Sequence, residues 1–142
     1  MILDARQLMT PAPPCLNEAE SVVLAARRMR ALGVSSVPVS GSENDFIGML
    51  SERDIVERCV ADGQDPRLIS VGSLVQNCQQ TISVDQPADS AVLGLVLRQP
   101  FGLLPVVDNG VLVGVITLAG ITSQLIDDKE LDASAPRLWW PT

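Results

Sequence analysis

Two stretches of this 142-residue chain are versions of one another, and that repetition limits the possible folds more than any other feature. Val37-Pro38-Val39 returns 67 positions later as Leu104-Pro105-Val106. Phe46-Ile47-Gly48-Met49-Leu50-Ser51 returns 66 positions later as Leu112-Val113-Gly114-Val115-Ile116-Thr117. The one-residue slip falls in the polar stretch Ser40–Asp45, which reads as a turn. Its counterpart, Asp108-Asn109-Gly110, places Asn-Gly between two apolar runs, a strong hairpin signal. A helix-period segment precedes each triplet. In the first, Val22, Ala25, Ala26, Met29 and Leu32 share a face, Arg27, Arg28 and Arg30 read as a solvated one, and Gly33 supplies the stop. In the second, residues 88–98 are apolar nearly all round, as in a helix covered on more than one side.

Each unit therefore reads as strand, helix, strand, hairpin, strand, helix. Repeat 1 spans residues 5–63 and repeat 2 spans 70–127, joined through Gly63-Gln64-Asp65-Pro66, with a tail over 128–142. Sixty residues with few aromatics make a marginal independent core. The expectation is an α+β fold in which two repeats pack with pseudo-two-fold symmetry and bury sheet faces against each other.

Composition then removes whole classes of function. The chain has no histidine, so it has no imidazole base, no Ser-His or Cys-His nucleophile pair and no His-ligated metal. Its formal charge of −7 does not suit nucleic acid, and its arginines are scattered. No apolar run approaches the roughly 18 residues of a membrane span, and the first residues do not read as a signal peptide. The three cysteines, Cys15, Cys59 and Cys78, form no C-x-x-C and read as reduced cytoplasmic thiols, with Cys59 in a core. A Cys15–Cys78 bridge, or a redox or metal sensor through either, stays open. Residues 68–126 hold three acids and one base, against ten and seven in residues 1–67. A weakly charged second repeat implies a self-association face and a homodimer. Trp139 and Trp140 are expected to dock on an apolar surface.

The pattern resembles the CBS domain family, named after cystathionine beta-synthase and found as tandem pairs, here of the small stand-alone bacterial type. The residues carrying the resemblance are Leu8-Met9-Thr10-Pro11, Gly33-Val34-Ser35-Ser36-Val37-Pro38-Val39 and Gly48-Met49-Leu50-Ser51-Glu52-Arg53-Asp54, together with the repeat itself. The resemblance implies repeats of β-α-β-β-α form and ligand sensing without catalysis. It further implies an adenosine ligand such as AMP, ADP or ATP, no cofactor, and an output acting in trans on an effector protein.

The family's site pattern, G-x-x-[ST]-x-x-[DN], is met in repeat 1 by Gly48, Ser51 and Asp54. By resemblance, Asp54 would hold the ribose hydroxyls and Ser51 the ribose or phosphate. Ser35, Ser36 and Val37, before Pro38, would line the adenine edge through their backbone. A carboxylate can accept from both vicinal hydroxyls, the first helical turn offers amides to a phosphate, and Arg53 could add charge. Ser51-x-x-Asp54 is equally a helix capping box needing no ligand, and Gly48 and Gly114 could mark only tight packing or a strand irregularity. Repeat 2 keeps Leu104, Pro105, Gly114 and Thr117, but has Gly120 where the acid should be and Gly102 in place of Ser35. One competent cleft and one degenerate cleft are expected.

Overall fold

The computed structural model describes residues 3–75, 80–99 and 102–125. The chain divides into two compact units, one from Pro13–Gln79 and the other from Met1–Ala12 with Gln80–Thr142. Each has its own aliphatic core, as a chain with 3% aromatic residues must. The tail, with Trp139 and Trp140, and Cys78 lie outside the described residues.

The continuous unit runs β3 (Leu16–Asn17), α2 (Val22–Leu32), β4 (Ser36–Ser40), β5 (Phe46–Ser51) and α3 (Glu52–Ile55), then a short α4 (Val71–Leu74). Helix α2 begins at Ser21, whose side chain accepts from the Leu24 amide, and ends at Gly33 in left-handed conformation. Its Val22, Ala25 and Met29 face the core with Leu16, Val37, Val39 and Leu50. Strand β4 is central, parallel to β3 and antiparallel to β5. Pro38 therefore sits in a central strand rather than at an edge. It lies one residue before the β3 pairing starts at Leu16 opposite Val39, where its missing N–H disturbs the ladder least. Helix α3 continues as a π-helical turn over Val56–Val60, with the Ala61 amide bonded to the Val56 carbonyl at 2.8 Å. Cys59 is wholly buried there, as expected of a core cysteine.

The second unit repeats the order with β6 (Ile82–Ser83), β7 (Pro87–Ala88), α5 (Ser90–Arg98), β8 (Leu103–Asp108), β9 (Val111–Thr117) and α6 (Leu118–Leu125). Asn109 and Gly110 both have positive φ, 52° and 83°, the backbone of a type I′ hairpin turn. Helix α5 buries Val92 and Val96 but leaves Leu97 63% exposed. The helix lies against both β8 and α6, so it is covered by more than one element, with Leu97 left outside.

The spatial units cut across the sequence repeats. The lead-in elements β1 (Leu3–Asp4), α1 (Ala5–Leu8) and β2 (Thr10–Pro11) come before β3 at the start of the first repeat, yet β1 pairs with β7 and β2 with β9. Ala5 and Leu8 are buried in the core with Val96 and Ile116. Conversely α4, the corresponding lead-in to repeat 2, buries Val71 and Leu74 in the core of the first. The exchange explains Gly114. A Cβ there would stand 2.6 Å from Met9 Sδ and 2.7 Å from the Thr10 carbonyl oxygen, so only glycine lets β2 lie against β9. Gly114→Ala is therefore expected to cost about 1–3 kcal/mol of unfolding free energy in urea titration. Unchanged stability would contradict the close approach.

No helix among the described residues is long and apolar enough to cross a membrane.

Candidate functional site

Ser51 ends β5 and is the N-cap of α3. Its Oγ accepts from the Asp54 amide at 3.1 Å and donates to Asp54 Oδ2 at 2.9 Å. Oδ2 also accepts from the Ser51 amide at 2.9 Å. The capping box is therefore formed, with the strand's last residue and the helix's first turn locked to each other. Both Ser51–Asp54 polar bonds to the backbone are local, so sequence alone dictates them. Asp54 Oδ1 has no hydrogen-bond partner among the described residues, and the side chain is half-buried. The carboxylate is thus held by one oxygen and leaves the other available.

Tertiary pairing adds the neighbouring strand. In the β4–β5 register Ser36 lies opposite Ser51 and Val37 opposite Leu50. Ser36 and Val37 are fully buried, and the Val37 side chain belongs to the core, so only its backbone is available at this end of the sheet. Ser35 is exposed, and its carbonyl accepts from the Glu52 amide at 2.9 Å. Two first-turn amides, those of Glu52 and Asp54, are thereby taken. The set of open amides expected for a phosphate is correspondingly smaller. Arg53 is 82% exposed and pairs with Glu57 at 2.8 Å along the helix surface. Such an exposed i,i+4 pair contributes little to stability.

Gly48 is paired with Val39, half a strand away from Ser51. Its φ of 152° lies in a region that only glycine occupies readily. The register slips beside it, so that Phe46 pairs with Ser40 and Ile47 is bulged out. The second unit has the same irregularity, with Gly114 opposite Val106, Leu112 opposite Val107 and Val113 bulged. Both glycines mark a strand irregularity, and Gly114 marks a close approach as well.

The second unit builds the same corner with different chemistry. Leu103 lies opposite Thr117, Leu104 opposite Ile116 and Pro105 opposite Val115. Thr117 is 7% exposed, and its Oγ1 accepts from the Gly120 amide at 3.0 Å. Half of a capping box forms, but Gly120 returns no carboxylate. Gly102 precedes the strand with φ 68°, a left-handed turn in place of Ser35.

Away from this corner, at the hairpin end of the first sheet, Glu18, Phe46, Ile47 and Gly72 line an open hollow of about 330 Å³. Cys15 precedes β3 and is partly buried. Burial pushes its thiol above the ordinary range, while the nearby Arg28 guanidinium opposes that shift. Arg28 is not simply solvated, since its Nη1 donates to the Pro14 carbonyl at 3.2 Å. Arg58 likewise donates to the Leu74 carbonyl. Neither contact had a local signal, because each partner lies more than a dozen residues away in sequence.

The profile of the CBS domain family matches residues 5–61 and 76–127, and the chain belongs to that family as a tandem pair. Hypoxic response protein 1 of Mycobacterium tuberculosis is 29% identical over 121 residues, which cover 85% of this chain and 84% of that protein. A crystal structure of Hypoxic Response Protein I with two coordinated zinc ions superposes with a TM-score of 0.76 at 28% identity, covering 87% of this chain and all of the other. CBSX2 in complex with AMP gives 0.73 at 21% identity, over 89% and 98% of the two chains. CbpB in complex with c-di-AMP gives 0.75 at 18% identity, over 87% and 84%.

The raised thiol range makes Cys15 a slow nucleophile, because only the thiolate reacts. Its alkylation by iodoacetamide, followed by peptide mass spectrometry, is expected to lag a free thiol at pH 8 and to approach it as pH rises. A rate at or above the free thiol at pH 8 would refute the burial effect.

Proposed function

We propose that the chain is a non-catalytic adenosine-nucleotide sensor whose ligand is held at Asp54, with AMP the favoured form. The observation carrying this reading is the divided Asp54 carboxylate. Oδ2 is fixed by the capping box, and Oδ1 is left to accept from a vicinal diol. Cap and ribose recognition are then compatible, since one oxygen serves each. The AMP and c-di-AMP held by proteins of the same fold support an adenine ligand. The reduced set of open amides and the outward Arg53–Glu57 pair support few phosphates. The corner at Thr117 and Gly120, lacking an acid, is proposed as degenerate. Ser35, Ser36 and Val37 would meet the adenine edge through their backbone.

Zinc is supported less well. The relative bearing two zinc ions raises the question, but this chain has no histidine. Among the described residues no three Cys, Asp or Glu side chains converge, so these residues do not fit the ion.

Thermal melting with AMP tests the nucleotide reading. At AMP one hundred times Kd, linkage stabilises the native state by about 2.7 kcal/mol. Asp54→Ala is expected to abolish the AMP shift and to lower apo stability by about 1 kcal/mol through the lost cap. Asp54→Asn can still accept from the Ser51 amide, so its apo melting temperature should stay near wild type while the AMP shift falls. No AMP shift in wild type at millimolar AMP sinks the reading in favour of a ligandless scaffold, and an unchanged shift in both variants sinks the placement of the ligand at Asp54.

The output is proposed to act on an effector protein in trans, with the chain working as a cytoplasmic homodimer. Val56 and Val60, 58% and 59% exposed on one helix, and Leu97 on another offer apolar surface for self-association. Sedimentation equilibrium should give twice the 15.1 kDa chain mass. A monomer at micromolar concentration would contradict this.

A further inference from the structure

The chain passes between the two units twice, after Ala12 and after Gln79. On the continuous unit's side, an arginine grips the backbone near each passage. Arg28 of α2 donates to the Pro14 carbonyl at 3.2 Å, and Arg58 donates to the Leu74 carbonyl. Leu74 is the last residue of α4, where helical carbonyls have no partner within the helix. An arginine that reaches such a carbonyl serves as a C-terminal cap. Arg58 is also four residues beyond Asp54, about one turn along the same helical segment. That segment is not a uniform α-helix, since it changes to a π-helical turn over Val56–Val60, with Arg58 inside the turn. Such turns are rare and are found frequently at functional sites.

We propose that Arg58 relays occupancy of Asp54 to the chain passage after α4. The inference rests on the nucleotide reading of Asp54. A ligand that draws on the carboxylate tightens or shifts the start of the segment. The π-helical turn converts that into a displacement of Arg58, and the Leu74 carbonyl follows. Arg28, on a different helix and holding the other passage, stays fixed and acts as the reference.

Hydrogen-exchange mass spectrometry on the full chain, with AMP as the probe, tests the relay. In wild type, AMP is expected to slow exchange over residues 52–60 and again over 71–75. Arg58→Gln should bind AMP with a Kd near wild type and still protect 52–60, yet show no AMP response over 71–75. Without AMP, the same variant should exchange 71–75 about tenfold faster than wild type, as a lost cap requires. Arg58→Lys, which keeps one donor and the charge, should restore part of the response and guards against misfolding of the first variant. A wild-type response over 71–75 in Arg58→Gln overturns the relay, as does equal apo exchange over 71–75. Wild type that binds AMP without any change over 71–75 removes the relay and leaves the nucleotide reading intact. Wild type that binds no AMP removes both.

Discussion

The reciprocal bonding of Ser51 and Asp54 is the contact on which the junction of β5 and α3 depends. It ties the last residue of a buried strand to the first turn of an exposed helix. Without it the helix start would leave amides unpaired and the carboxylate free to rotate through solvent. With it, one carboxylate oxygen is fixed in place and the other has no hydrogen-bond partner among the described residues. A local interaction worth about 1 kcal/mol thereby sets the geometry of the Asp54 carboxylate.

The two units show what is architectural in such a repeat and what is adjustable. Both have a central strand with proline before the parallel pairing starts, and both bulge at the residue just before the strand's glycine, Ile47 and Val113. Both end their last strand in a hydroxyl residue that caps the following helix. Backbone accounting forces these shared features, since every buried strand amide and helix start needs a partner. The acid does not follow from that accounting. Thr117 caps its helix adequately with glycine three residues on, so repeat 2 could lose the carboxylate without losing the fold.

Much of the local structure was legible because its causes are local. The helix from Val22 to Leu32, the hairpin at Asn109-Gly110 and the Ser51–Asp54 box follow from periodicity, turn chemistry and capping within a few residues. Legibility failed where a partner lies far away. The segment 88–98 reads as apolar nearly all round, and which position stays outside, Leu97, is set by its packing against β8 and α6. Arg28 looked like part of a charged surface, yet it bonds a carbonyl fourteen residues back.

The sequence by itself determined that the chain is a tandem repeat, that its cores are aliphatic, and that histidine chemistry is absent. It also determined the capping box, because four consecutive residues contain every atom involved. Only the tertiary structure decided that each repeat's lead-in packs with the other repeat's body, with β2 against β9 and α4 in the first core. The physical reason is that short lead-ins have no strong pattern of their own. They settle wherever a sheet edge or core gap completes their hydrogen bonds and burial. The same holds for Asp54: its identity and its cap are written in the sequence, while the strand it faces, Ser36 opposite Ser51, exists only once β4 and β5 have paired.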